Sequence, residues 1–111
     1  MVSKDSGIKD KNKLLRYLYK NPDKLAIKLA KFLHSEEKLL EPVKLKGSGQ
    51  GYYHSVNDNK LIRISRDADF YLLPWEDKNN DKKCYIYTHC NWMTGRILSV
   101  YKDDLEFIGF N

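Results

Sequence analysis

A change in the spacing of apolar residues near Pro42 limits the folds open to this chain more than any other feature of its sequence. Before Pro42, apolar residues recur at helical spacing, first at Leu14, Leu15 and Leu18 and then at Leu25, Leu29, Phe32 and Leu33. After Pro42, apolar and polar residues alternate, which is typical of half-buried strands. Helices followed by a run of strands predict an α+β domain.

The helical part is expected to cover residues 10–41 and to contain two to three helices. "NPD" at 21–23 predicts the start of the second helix, because Asn21 is a good N-cap and proline suits the first helical position. "SEEKLLEP" predicts one further turn or a short third helix that Pro42 would end. We expect residues 1–9 to form a flexible tail. A chain of 111 residues is expected to form a single domain, 1–111.

The β part is expected to cover residues 43–111, with segments such as "KLIRIS", "CYIYTHC" and "RILSVY" that are rich in strand-forming residues. We expect five or six antiparallel strands in sequential order, arranged as a meander or a partly open barrel. "NDN" at 57–59 predicts a hairpin turn, because Asn and Asp tolerate the left-handed backbone that tight turns need. "GSGQG" at 47–51 predicts a flexible joint between the helices and the sheet.

The basic charge of the chain is concentrated in its first part. The net charge is +5, but residues 1–46 carry twelve Lys or Arg against six Asp or Glu, whereas residues 47–111 carry eight against nine. Lys24, Lys28 and Lys31 are spaced to lie on the outer side of the second helix. Such a surface favours an anionic partner, although lysine-rich helices also serve solubility alone.

Apolar runs and cysteines indicate the compartment. No run approaches the length of a membrane span, and no signal peptide is recognisable, so we expect a cytoplasmic protein with no membrane partner. Cys84 and Cys90 fall on one predicted strand, too far apart to form a disulfide with each other.

Metal and phosphate chemistry find little support in the sequence. Cys84, His89 and Cys90 provide three metal-binding side chains, but a structural zinc site needs four at a characteristic spacing. The glycines at 47–51 lack the lysine and the following helix of a phosphate-binding loop. We therefore expect no metal and no cofactor.

A small ribonuclease is one alternative function. Histidine can act as acid or base and arginine can hold a phosphate, and the residue types needed are present on predicted strands: His54, Arg63, Tyr87 and His89. The same residue types also occur together by chance in any chain with this much tyrosine and arginine. We expect no catalytic residues unless the protein is a ribonuclease.

Aromatic and basic side chains form the larger candidate set. Such residues stack on bases, hold phosphates and dominate protein interfaces. The candidate binding residues are Lys24, Lys28, Lys31, Tyr52, Tyr53, Arg63, Trp75, Trp92 and Arg96. About half of the aromatic rings are expected in the core, and Trp75 and Trp92 are expected to be the more exposed ones.

Two segments resemble known proteins. "KLLRYLYKNPDKLAIKLAKFLH" resembles the first helices of a winged-helix DNA reader, but a recognition helix before the hairpin is missing. "GYYHSVNDNKLIRIS" is similar to a pattern in small bacteriophage and mobile-element proteins, in which the final serine is usually followed by Asp-His rather than Arg66-Asp67. That resemblance implies a mobile-element origin, and proteins of that origin are often inhibitors of host defence, including anti-CRISPR proteins.

Together these observations favour a small non-enzymatic binding protein of phage or mobile-element type. It would inhibit a nucleic-acid-handling defence protein, such as a CRISPR effector, in the host cytoplasm. The alternatives are a module that binds nucleic acid directly and a small ribonuclease toxin. The partner would be a protein or a nucleic acid, and the sequence leaves the oligomeric state open.

Overall fold

Two helices precede seven strands in the chain. The computed structural model describes residues 11–33, 41–90 and 94–108, and within the first range the side chains of 15–31. The elements are α1 (Lys11–Lys20), α2 (Pro22–Leu33), β1 (Glu41–Leu45), β2 (Gln50–Ser55), β3 (Lys60–Ser65), β4 (Phe70–Glu76), β5 (Lys83–His89), β6 (Gly95–Tyr101) and β7 (Leu105–Phe107), with a 3-10 turn at Lys102–Asp104. The α+β class is confirmed. The expected number of strands was wrong, because β1 and β7 both join the sheet.

The start of α2 follows the prediction. Asn21 caps the helix, since its side-chain Oδ1 accepts a hydrogen bond from the Lys24 amide at 3.2 Å, and Pro22 is the first helical residue. Within the described ranges, neither helix is long and apolar enough to cross a membrane. A third helix would lie within 34–40, outside the described residues.

Pro42 lies in β1, and the short helix that it was expected to end would lie within residues 34–40, outside the described part of the chain. Pro42 pairs with Tyr71 of β4, while the pairing of β1 with β7 begins only at Val43. One side of the strand is therefore unpaired at Pro42, which is where a strand tolerates a residue without an amide hydrogen.

All strand pairs are antiparallel, and the order across the sheet is β3-β2-β6-β5-β4-β1-β7. β4, β5 and β6 follow one another as in a meander, and β2 and β3 form a hairpin, but the other neighbours are not consecutive in the chain. The expectation of a sequential order was therefore wrong for the sheet as a whole. Among the described residues the sheet is open, with β3 and β7 as its edges.

Two short connections show that the sheet curls strongly. β1 and β2 are four strand positions apart, which is about 19 Å in a flat sheet, yet only residues 46–49 connect them. Five residue steps reach at most about 18 Å even when fully extended. Residues 66–69 connect β3 to β4 across the same four positions. The sheet must therefore bend round until the β2–β3 hairpin approaches β1 and β4.

The curled sheet has a core on each face. The inner core contains side chains from all seven strands, including Val43 of β1, Ile64 of β3, Ile86 of β5 and Leu105 of β7. On the outer face, α1 and α2 bury Leu18, Leu25, Ala26, Leu29 and Ala30 against side chains of β4, β5 and β6. The helices therefore cover only part of the outer face.

Arg66 holds the glycine-rich segment in place. Its Nη1 donates to the carbonyl oxygens of Ser48 and Gln50, both at 2.9 Å, and its Nε donates to Tyr53 Oη at 2.9 Å. Gly47 and Gly49 have φ values of 94° and 73°, a region that disfavours other residues. The segment is thus the turn that joins β1 to β2, fastened by the residue that follows β3, and the expectation that it joins the helices to the sheet was wrong.

Candidate functional site

The β2–β3 hairpin exposes large side chains on the outer face. Tyr52 pairs with Arg63 and His54 pairs with Leu61, so these four side chains share one side of the hairpin. Tyr52 is 68% exposed, Leu61 is 64% exposed and Arg63 is also exposed. Tyr52 and Leu61 are diagonal neighbours on this hairpin, and contiguous exposed apolar side chains are a feature of binding surfaces.

A second exposed tyrosine lies on the neighbouring pair of strands. Tyr101 of β6 is 51% exposed and pairs with Lys83 of β5, whose Nζ lies 5.0 Å from the centre of the Tyr101 ring. The ladder between β2 and β6 includes the pair His54–Ser99. Tyr52 and Tyr101 each lie two residues beyond that pair, towards the same end of the sheet. We call Tyr52, Leu61, Arg63, Lys83 and Tyr101 the outer aromatic surface.

The two cations of this surface are available to a ligand. Neither Arg63 nor Lys83 forms an ion pair with a carboxylate in the part of the chain that the structure describes. Each lies on the strand next to an exposed tyrosine. The arrangement can stack planar groups on the rings and hold anionic groups beside them.

The helical lysines lie on α2 and not on the outer aromatic surface. Lys24, Lys28 and Lys31 are exposed, and none forms an ion pair with a described carboxylate. Lys24 Nζ and Lys28 Nζ lie 5.3 Å and 5.2 Å from the centre of the Tyr17 ring. These two contacts hold the Lys24 and Lys28 side chains against α1, but their charged groups still face solvent.

Several other predicted binding residues have structural roles. Trp75 is only 8% exposed and packs under the helices, so the expectation that it is exposed was wrong. Arg96 Nε forms an ion pair with Asp58 at 3.0 Å, which joins β6 to the hairpin turn. Tyr53 is half-buried and accepts the hydrogen bond from Arg66. Trp92 lies outside the described residues.

The proposed ribonuclease residues do not form one site. Tyr87 is completely buried, and its Oη donates to the Ala26 carbonyl at 3.3 Å and lies 3.4 Å from His89 Nδ1. Burial raises the pKa of Tyr87, with a smaller contribution from Cys90. His54 pairs with Ser99, which in turn pairs with Tyr85, so His54 is level with Tyr85 in the sheet. His89 is four residues further along β5, which is about 13 Å along the strand direction. The two histidines therefore cannot act on the same bond.

The cysteines and His89 do not converge either. Cys84 lies in the inner core, where burial raises the pKa of its thiol, whereas His89 contacts Tyr71 and Tyr87 on the outer face. Cys90 is exposed, and both thiols are free. Among the described residues, no three histidine, cysteine or carboxylate side chains lie close enough to hold a metal ion.

An acidic cleft of about 530 Å³ adjoins the outer aromatic surface at Tyr101. It is lined by three exposed carboxylates, by Tyr101 and by two lysines: Asp81, Asp103, Asp104, Lys82 and Lys102. Lys102 is occupied by an ion pair with Glu76, and this hydrogen bond is the main cause of the raised pKa of Lys102. The surface around Tyr101 is therefore acidic on one side and basic, through Lys83, on the other.

The chain matches no protein-family model, no curated protein and no solved structure. Evidence on function must therefore come from its own residues. Sequence reasoning identified Tyr52 and Arg63 but missed Leu61, Lys83 and Tyr101. The available signal was the alternation Ile97, Ser99, Tyr101, which places a polar residue and a tyrosine on one side of β6.

Proposed function

We propose that the protein binds single-stranded nucleic acid on its outer aromatic surface, without catalysing a reaction. One observation supports this most strongly: on adjacent strands, exposed Tyr52 and Tyr101 each stand beside a cation, Arg63 and Lys83, that forms no ion pair with a described carboxylate. Strand tyrosines stack on bases of any sequence, and flanking cations hold the phosphates. A net charge of +5 adds long-range attraction.

A single strand suits this surface better than a duplex. In a duplex the bases are stacked on one another, so a tyrosine standing on a sheet cannot lie against them, whereas a flexible single strand can turn its bases onto the rings. The distinction has a direct test, because duplex binding would depend on cations alone. The proposal therefore predicts preference for a single strand over a duplex of the same sequence.

Binding of labelled oligonucleotides to purified variants tests this proposal. Tyr52→Ala and Tyr101→Ala are each expected to weaken binding by about 1–3 kcal/mol, or roughly 5- to 150-fold in Kd. Tyr52→Phe keeps the ring and should keep most of the affinity. Arg63→Ala should weaken binding more than its matched control, Lys44→Ala. The control removes an exposed charge from β1, where the backbone of Lys44 pairs with that of Glu106. Equal losses in the Arg63 and Lys44 variants would overturn the proposal.

Inhibition of a nucleic-acid-handling defence protein, such as a CRISPR effector, is the second candidate function. The acidic cleft supports it, because a protein that blocks a basic nucleic-acid channel needs carboxylates in place of phosphates. Exposed Tyr52 and Leu61 would supply apolar contact beside it. The phage-like segment at 51–65 is a further reason to keep this candidate.

One double variant separates the two candidates. Asp103→Asn with Asp104→Asn removes negative charge next to Tyr101 without a large change in shape. Nucleic-acid binding should then become tighter or stay the same, since phosphates are repelled less. Inhibition of guided DNA cleavage by a CRISPR effector should become weaker. A weaker affinity for oligonucleotides would contradict the first candidate, and unchanged inhibition would contradict the second.

A further inference from the structure

A third exposed tyrosine with a cation lies next to the outer aromatic surface. Tyr19 of α1 is 43% exposed, and Lys78 Nζ lies 4.3 Å from the centre of its ring. This is a closer contact than that of Lys83 with Tyr101, at 5.0 Å. The combination of an exposed ring and an ammonium group is thus repeated beyond β5.

The position of this pair follows from its neighbours. Tyr19 interacts with Tyr85, whose pKa is raised by burial, by the charge of Asp77 and by Tyr19. Tyr85 lies two residues from Lys83 and on the same side of β5. Lys78 follows Asp77, whose amide donates to the Lys83 carbonyl at 3.2 Å. Both members of the pair therefore adjoin the end of β5 that carries Lys83.

We infer that a bound single strand continues from Tyr101 across the end of β5 to Tyr19 and Lys78, which form a third base-and-phosphate subsite. The inference rests on the proposed function, since it extends the same surface. Three rings, Tyr52, Tyr101 and Tyr19, then alternate with three cations, Arg63, Lys83 and Lys78. Repetition of this kind is what a polymer of bases and phosphates requires, whereas a compact ligand would not reach the third pair.

Asp77 lies on the path proposed for the bound nucleic-acid strand. It precedes Lys78 in the chain and its amide donates to the Lys83 carbonyl, while its Oδ1 accepts a hydrogen bond from the Asn79 amide at 2.8 Å. Its negative charge disfavours a phosphate at this point. Asparagine keeps the acceptor oxygen and removes the charge, so Asp77→Asn preserves the turn while reducing the repulsion.

A comparison of oligonucleotide lengths tests the inference. The wild-type protein should bind a thymidine or uridine hexanucleotide more tightly than the dinucleotide, which reaches only Tyr52 and Tyr101. Tyr19→Ala should weaken hexanucleotide binding about 5-fold or more and leave the dinucleotide unchanged. Tyr19→Phe should behave as wild type. Asp77→Asn should tighten hexanucleotide binding about 2-fold or more without affecting the dinucleotide.

The outcomes separate this inference from the function on which it rests. If the wild-type protein binds neither length, the proposed function fails. If it binds both, but Tyr19→Ala and Asp77→Asn change the two affinities equally or not at all, the third subsite is wrong and the proposed function stands. A melting temperature for each variant excludes loss of folding as the cause. Tyr19→Phe removes the hydroxyl and keeps the ring, so it shows which of the two groups is needed.

Discussion

Individual residues determine how closely the strands approach one another. Gly95 is the clearest case, because it is buried at the start of β6 and pairs with His89. An added Cβ would collide with the Thr88 carbonyl oxygen and would come within 2.6 Å of Tyr87 Oη. Only glycine therefore allows β6 to lie against this end of β5.

The Gly95→Ala variant should consequently lose much of its stability, by about 3 kcal/mol or more, because the methyl group meets backbone that cannot move aside. Gly49→Ala is the matched control. It has nothing within 4 Å of the added carbon, and its cost comes from a φ of 73° alone, about 1 kcal/mol. Urea unfolding of both variants measures the difference, and equal losses would show that Gly95 is not the close contact described.

Single residues also show where sequence reasoning succeeded and failed. Asn59 has a φ of 54°, the left-handed backbone predicted for the "NDN" turn from residue type alone. Asn57 could not be predicted in the same way. Its Oδ1 accepts from the buried Ile97 amide and its Nδ2 donates to Asp23, so its role depends on β6 and α2, which are distant in sequence.

At the scale of elements, β5 combines three buried ionisable side chains. Burial raises the pKa of Cys84, Tyr85 and Tyr87 above their ordinary values. A raised pKa means that the folded state retains the proton more strongly than the unfolded state. The corresponding stability is complete below the unfolded pKa, near 10 for tyrosine, and is lost as the pH rises towards the folded pKa.

Above pH 10 the free energy of unfolding should therefore fall by about 1.4 kcal/mol per pH unit for each buried tyrosine. Tyr85→Phe removes one of these contributions, so the free energy of unfolding of this variant should fall less steeply with pH. Urea midpoints at a series of pH values from neutral to alkaline measure both slopes. Identical slopes for the wild-type protein and the Tyr85→Phe variant would contradict the burial of the Tyr85 hydroxyl.

The extent of the helical layer explains why the exposure of Trp75 was misjudged and why Tyr101 was missed. Trp75 lies near the end of β4, but the helical layer covers it there. On β6, Ile97 and Ser99 are buried on the outer face while Tyr101, on the same side, is exposed. The alternation along a strand predicts which side a residue faces. It cannot predict how far a helix packed by distant contacts covers that side.

At the scale of the whole molecule, the order of the strands was beyond the sequence. The segments themselves were recognisable, but their neighbours depend on the curl that brings β2 and β3 back towards β1 and β4. That curl follows from two four-residue connections and from an inner core to which every strand contributes. The local sequence pattern cannot predict the span of these connections or the shared inner core, because both are relations between residues far apart in the chain.

The whole molecule also presents two surfaces with different charge. The helical lysines Lys24, Lys28 and Lys31 give a general basic surface, whereas the outer aromatic surface combines rings with two cations and borders the acidic cleft. We assign specific contact to the outer aromatic surface and only long-range attraction to the helical lysines. The proposed function therefore depends on where the single strand binds.

Chemical-shift mapping during titration with a single-stranded hexanucleotide locates the bound strand. We expect the largest backbone amide changes on Tyr52, Arg63, Lys83 and Tyr101, while the amides around Lys24, Lys28 and Lys31 change little. Changes confined to the helical lysines, or no changes at a saturating concentration of the oligonucleotide, would contradict the proposed function.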